Sequence, residues 1–275
     1  VIDIKINMKV VILSILIALF MYPKTIEFLI TSGENMCVAH TLSTGTVQIN
    51  KSTTDPHKTK IVFMFDDGWN SVYREAYGIM AKYNYTASIT VVPSLIGEKE
   101  YMSYKQLSEL YLEGWDLLNH SYSHKENMYD NPDEVLSDFN KARKWMNNRY
   151  IGNCSDMTAL PFGEINPYLI NGLKDAGYSN VRTSDNIIVL NKNTIGYYPV
   201  TTITLLTGVT VNEVKNILTQ EYDEPKPFIL LLHKIGDRDN GYSMTYSKDK
   251  LEEIIMFING HSDKFEVINY SQLFD

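Results

Sequence analysis

Cysteine is nearly absent from this chain. Cys37 and Cys154 are the only two in 275 residues, and neither belongs to a Cys-x-x-Cys pair or a Cys/His cluster. No multi-disulfide framework or thiolate metal module is indicated. One disulfide and two separate thiols both remain open, and the redox compartment is not fixed. Excess positive charge is missing as well: 25 basic against 33 acidic residues leave a formal charge of -8, which supplies no footprint for nucleic acid. No internal repeat is present, and nothing in the sequence marks an oligomeric state. A hydrophobic run of membrane-spanning length is also lacking. The longest candidate, Val10 to Tyr22, has thirteen residues between Lys9 and Pro23, whereas a spanning helix needs about twenty. Its length suits a signal-peptide core, Met8-Lys9 resembles a translation start, and no clean A-x-A site follows. The run reads either as an export or anchoring signal, with membrane association through residues 10–22, or as a buried helix or strand pair. The export reading predicts an extracellular or cell-surface protein.

What is present is enough apolar material, 44% of residues, for one large core or one core plus a small appendage. Nineteen tyrosines, ten phenylalanines and three tryptophans leave a sugar-facing surface open, although most such rings belong to packing. Residues 25–50 read as short strands and turns, and the polar stretch Asn50 to Lys60, with Pro56, is the best boundary. The expected division is an N-terminal extension, 1–57, and a main domain, 58–275. From Lys60 onward strands alternate with helices: "KIVFMF", then a helix over Val72 to Tyr83, "YTASITVVP", a helix over 103–113, "GWDLLNH", and a helix from Pro132 to Asn148. "MTALP" and "NVRT" flank another helix, "YYPVTTITLL" is extended, and "TVNEVKNILTQ" is helical. "PFILLLHK" is an apolar strand, followed by a helix over Lys248 to Asn259 and the strand "FEVINY". Such alternation predicts a parallel α/β fold. A barrel suits it better than a doubly wound sheet, because polar clusters recur at the carboxyl ends of different strands.

Four stretches can carry chemistry. In "FMFDDGW", Phe63 to Trp69, two carboxylates end a strand ahead of Gly68. Consecutive strand residues point to opposite faces, so both reach one site only if the backbone turns there; by itself the stretch reads first as an Asp-Gly turn. "NHSYSHKE" places His120 and His124 four apart, so on one helical turn both imidazoles face one way. With Asp67 they would form a two-His, one-carboxylate site suited to zinc first, and to Co, Ni, Fe or Mn, with open positions for water and substrate. His233, after the apolar run of "FILLLHK", is either a satisfied core residue or a proton donor. "ALPFGEINP" is a Pro-aromatic-Gly turn, structural on its own terms, that can also aim the Phe162 N–H at developing negative charge.

These pieces in this order resemble the polysaccharide deacetylases, the NodB-like carbohydrate esterases of family 4, over about residues 58–270. The resemblance implies a distorted (β/α)7 barrel and metal-dependent removal of acetyl groups from N-acetylated sugars, with some members acting on O-acetyl esters. By position it makes Asp67, His120 and His124 the metal ligands, Asp66 the general base, and His233 the general acid. Ser121 would steady the histidine motif, and Leu232 would lie in the wall of an acetyl pocket. The third motif usually reads Arg-Pro-Pro-Tyr-Gly; here Ala159, Leu160, Pro161, Phe162 and Gly163 stand in its place, so the arginine that orients the base is missing. Arg182, from the next strand and with Asp185 nearby, is the candidate substitute. The usual Asp-Trp pair of the fourth motif is not evident. Trp69, Tyr122, Tyr129 and Phe162 could stack on sugar rings. Competing readings are a glycan-binding protein with impaired catalysis on the same scaffold, and a deacylase of O-acetyl esters or small N-acyl compounds.

Overall fold

An unbroken apolar run such as Ile61 to Phe65 needs cover on both faces, and the fold supplies it. The computed structural model describes residues 54–275 apart from 126–129, 164, 185, 192, 223–225, 237–242 and 275. In it the run is strand β1 (Thr59–Phe65), whose apolar residues alternate between two cores. Ile61, Phe63 and Phe65 join a large cluster with residues of the surrounding helices. Val62 and Met64 join a smaller one with Leu118, Met157, Ile229 and Leu231. Each such buried side chain stabilises the fold by roughly 1.5–3 kcal/mol relative to exposure.

After β1, a π-helical turn at Val72–Ala76 runs into α1 (Tyr77–Lys82), followed by β2 (Ser88–Val91), α2 (Tyr104–Leu112), β3 (Asp116–Asn119), α3 (Pro132–Asn147), β4 (Cys154–Ala159), α4 (Pro167–Asp175) and β5 (Asn180–Arg182). Next come β6 (Ile187–Asn191), β7 (Thr194–Tyr198), β8 (Thr201–Thr204), α5 (Val211–Thr219), β9 (Phe228–Leu232), the short pair β10 (Lys234–Ile235) and β11 (Thr245–Tyr246), α6 (Lys248–Gly260) and β12 (Phe265–Val267). Helix starts follow local chemistry. Ser103 and Gln106 close a capping box on α2, Thr210 and Glu213 another on α5, and Asn131 and Asn166 cap α3 and α4, each ahead of a proline.

The seven strands β8-β9-β1-β2-β3-β4-β5 lie side by side and parallel, and β6 and β7 extend the sheet antiparallel from β5. β12 pairs with the first half of β1. The β6–β7 hairpin was not anticipated from sequence, although Ile187 to Tyr198 carries an apolar run on either side of a polar turn. Among the described residues no pairing joins β7 to β8. Because the seven strands are parallel, their carboxyl ends line one edge, and Asp66, His120, Arg182 and His233 each fall on the last residue of a strand or the residue after it.

Cys154 is disulfide-bonded, which removes the reading of two separate thiols; Cys37 lies outside the described residues. The membrane association expected through residues 10–22 is corrected: among the described residues no helix is long and apolar enough to cross a membrane. Residues 10–22 themselves lie outside the described residues. At about 1.5 Å of rise per residue, a helix of thirteen residues would cover only about 20 Å of a hydrocarbon core about 30 Å thick.

Candidate metal centre and its ion-paired carboxylate

The backbone turn that would bring both carboxylates to one site is present. Asp66 still follows the strand, its N–H donating to the Leu232 carbonyl at 2.9 Å. Asp67 and Gly68 then take positive φ, 73° and 76°, which interrupts the strand alternation; glycine adopts such an angle freely and aspartate better than most residues. Asp66 is buried and held by both oxygens. Oδ1 accepts from Thr90 Oγ1 at 2.9 Å, and Oδ2 accepts from Arg182 Nη2 at 2.5 Å. The ion pair is almost wholly enclosed, with side-chain exposures of 6% for Asp66 and 3% for Arg182. Burial pushes the Asp66 carboxyl up, but Arg182, with His120 and His233, outweighs it and holds the group below the ordinary carboxylate range.

Asp67 faces the two histidines. Its Oδ1 lies 3.5 Å from His120 Nε2 and 3.4 Å from His124 Nε2, and one donor atom from each of the three residues falls within 4.8 Å of the others. Ligand atoms about 2.0–2.1 Å from a tetrahedral ion stand about 3.4 Å apart, so the two Asp67 distances already match. His120 Nδ1 sits 2.9 Å from the Ala159 carbonyl. A carbonyl accepts only, so Nδ1 carries a proton, and Nε2, on the Asp67 side, is the nitrogen that would give its lone pair to a metal. The donor set therefore fits a divalent metal. Burial lowers the His120 pKa, yet the hydrogen bond and charge of Asp67, together with Asp66, raise it overall. Burial and the neighbouring His120 lower that of His124, while burial of Asp67 is overcome by the histidines, which depress its pKa.

The histidines do not share a helical turn, as their spacing had suggested. Residues 120–125 form an irregular loop in which Ser121 and His124 have φ of 62° and 46°. Side chains replace the helical hydrogen bonds. Asn119 Oδ1 accepts from the Ser121 N–H at 3.0 Å, and Ser121 Oγ accepts from the His124 N–H at 3.0 Å. Asp138 Oδ2, from α3, accepts from the Tyr122 N–H, the Ser123 N–H and Ser123 Oγ, each at 2.9 Å.

Around this core, His233 follows β9 half-buried, and its Nδ1 is buried without a hydrogen-bond partner. Phe162, 52% exposed with φ of 61°, lays its ring 4.8 Å from that of His124. Gly163 after it has φ of 72°, and a Cβ there would sit 1.9 Å from Ser184 Oγ. Leu232 is fully buried within the helix-side cluster, and its carbonyl receives the Asp66 N–H. Trp69 donates its Nε1–H to Asp67 Oδ2 at 3.1 Å and stacks on Tyr101. Tyr122 lies under Lys141, whose Nζ is 3.5 Å from the ring centroid. Tyr129 and Asp185 lie outside the described residues.

Residues 53–181 match the family model described as polysaccharide deacetylase, a span that contains Asp66, Asp67, His120, His124 and Phe162. The chain is homologous to the polysaccharide deacetylases. A poly-beta-1,6-N-acetyl-D-glucosamine N-deacetylase of Staphylococcus epidermidis is 28% identical over 134 residues, covering 44% of this chain and 46% of the relative. The chain thus spans about half the length of the curated relatives it matches. In fold it is similar to the Bc1960 peptidoglycan N-acetylglucosamine deacetylase, with a TM-score of 0.57 and 15% identity over 80% of this chain and 90% of that one. It is also similar to BA3943, a family 4 pseudoenzyme studied as a mutant, with a TM-score of 0.54 and 13% identity over 80% of this chain and 69% of that one.

Against this deacetylase homology, the residues that sequence reasoning missed are the supporting ones: Thr90, Asn119, Asp138 and the Ala159 carbonyl. Of these, Asn119 alone had a local signal, an Asx side chain two residues before the N–H it accepts. Arg182 stands one residue beyond the matched span and comes from β5, adjacent to the strand that carries Ala159.

Proposed function

We propose that this protein is a metal-dependent deacetylase that removes acetyl groups from an N-acetylated glycan, of the class of chitooligosaccharide or peptidoglycan. The observation that carries the reading is the convergence of Asp67, His120 and His124 beside a second carboxylate, Asp66, that is ion-paired and kept ionised. Asp67, His120 and His124 would hold the ion, with zinc the first choice for two imidazoles and a carboxylate. Such an ion, when bound, polarises an acetyl carbonyl and lowers the pKa of water.

The chain's own residues account for the proton movements. Asp66 accepts the proton of the attacking water. Thr90 and Arg182 each occupy one of its oxygens, and a carboxylate oxygen has two lone pairs, so acceptor capacity remains while the group is fixed in place. Arg182 takes the part of the arginine absent at Ala159. The Phe162 N–H faces the developing oxyanion, and His233 donates a proton to the leaving nitrogen, which would otherwise depart as a very poor amide anion. The N-acetylglucosamine polymers named for the relatives support an amide substrate. Seven parallel strands, and a cluster in which Met64, Leu118, Met157, Ile229 and Leu231 meet Tyr270 and Leu273, support a distorted (β/α)7 barrel with a filled lumen. It would form the catalytic domain, 58–275, behind an extension, 1–57. Glycan polymers of this class are cell-surface materials, which supports action outside the cytoplasm.

Acetate release from chitooligosaccharide, peptidoglycan fragments and acetylated xylan, with and without chelator, tests this reading. Release from the amide substrates should vanish with chelator and in Asp66→Asn, and fall roughly 10²-fold in His233→Ala. Glycan binding without release from any of them would instead assign a glycan-binding protein, and release from xylan alone an esterase.

A further inference from the structure

Trp69 is held by neighbours within the chain and points its N–H at Asp67. The two oxygens of Asp67 are divided: Oδ1 faces His120 and His124 at 3.5 and 3.4 Å, while Oδ2 accepts the Trp69 indole N–H at 3.1 Å. The indole is fixed independently of Asp67. It stacks on Tyr101 with centroids 4.4 Å apart and planes 22° from parallel, and its backbone pairs with that of Tyr101 in an antiparallel bridge. Lys234, ion-paired with Glu100 at 3.0 Å, places its Nζ 4.9 Å from the ring centroid. One face of the ring is thus covered, and the N–H is aimed before any ligand arrives.

A carboxylate with both oxygens free can grip one cation with both, occupying two coordination positions. We propose that Trp69 is a positioning residue that confines Asp67 to a one-oxygen contact with the metal, so that the position a second oxygen would take stays open. The inference rests on the reading that Asp67, His120 and His124 hold a divalent metal. Groups that hydrogen-bond to a ligand orient it, and their loss typically costs 10–100-fold in metal affinity.

The test replaces Trp69 with benzothienylalanine, which keeps the shape of the bicycle but lacks the N–H, and in parallel with phenylalanine. Cobalt(II) alone is the probe, titrated into full-length protein and followed by calorimetry and visible absorption, with thermal unfolding of the metal-free protein as the control. Cobalt(II) affinity is expected to fall about 10–100-fold in both variants. The visible absorption should weaken as the freed oxygen raises the coordination number, while metal-free stability in the benzothienylalanine variant holds. Unchanged affinity and spectrum in that variant would overturn the proposal, whether or not Trp69→Phe folds. Unchanged metal binding with weakened chitooligosaccharide binding would also overturn it and make Trp69 a sugar contact. Wild-type protein that fails to bind cobalt(II) would overturn the metal reading and this inference together.

Discussion

Replacing Arg182 with methionine separates the ion pair from simple packing, because methionine fills much of the same space without charge. Both partners are nearly inaccessible to water, and removing one member of a buried pair typically costs about 3–5 kcal/mol, since the other charge is left uncompensated. Asp66 keeps the Thr90 hydrogen bond at 2.9 Å, so the lower end, about 3 kcal/mol, is expected. For a domain of this size that corresponds to a fall in Tm of about 6–12 °C. The pH dependence gives the sharper test. In the wild type the Asp66 pKa is depressed on folding, so its stabilisation is complete above the unfolded carboxylate value of about 3.9 and is lost as pH falls through the folded value. Without Arg182, burial becomes the dominant influence and the folded pKa rises above the unfolded one. The variant then loses stability as pH rises from the unfolded value through the folded one, so the gap to wild type should be widest near neutrality and narrow toward pH of about 4. Urea unfolding of both proteins, metal-free and followed by tryptophan fluorescence across this range, measures it. Stabilities within about 1 kcal/mol of each other at neutral pH, or a gap that does not change with pH, would refute a stabilising Asp66–Arg182 pair.

Asp138→Ala removes one acceptor shared by three donors of the histidine loop. It should destabilise by about 2–3 kcal/mol and weaken metal affinity by about tenfold, with Asp138→Asn recovering part of both because it retains an acceptor oxygen; calorimetric metal titration and urea unfolding read the two effects. Gly163→Ala puts a Cβ 1.9 Å from Ser184 Oγ at a φ of 72°, and a loss of at least about 1–3 kcal/mol is expected from left-handed backbone strain and the contact; Gly78→Ala, where nothing lies within 4 Å of the added carbon, is the control that should unfold near the wild-type midpoint.

Local sequence determined the parts of this protein whose physics is local. Apolar runs such as Phe228 to Leu232 can only be strands covered on both faces. Asn and Ser/Thr caps start the helices where the chain says they should start. The two aspartates, the paired histidines and His233 were legible because each follows an apolar strand and sits in a short run of polar residues. The local conformation of the histidine pair was not legible. Four-residue spacing fits a helix turn, but Asn119 and Asp138 supply acceptors that an isolated segment lacks, and a loop with two left-handed residues wins. The β6–β7 hairpin was not legible either: the run Ile187 to Leu190 is short, and it becomes a strand through its pairing with β5 and β7. What tertiary structure alone decided is which other distant groups meet: Thr90 on Asp66 across 24 residues, and the Ala159 carbonyl on His120 across 39. These contacts depend on strand order and register, which are set by the packing of whole faces of the sheet and leave no mark at the residues that use them.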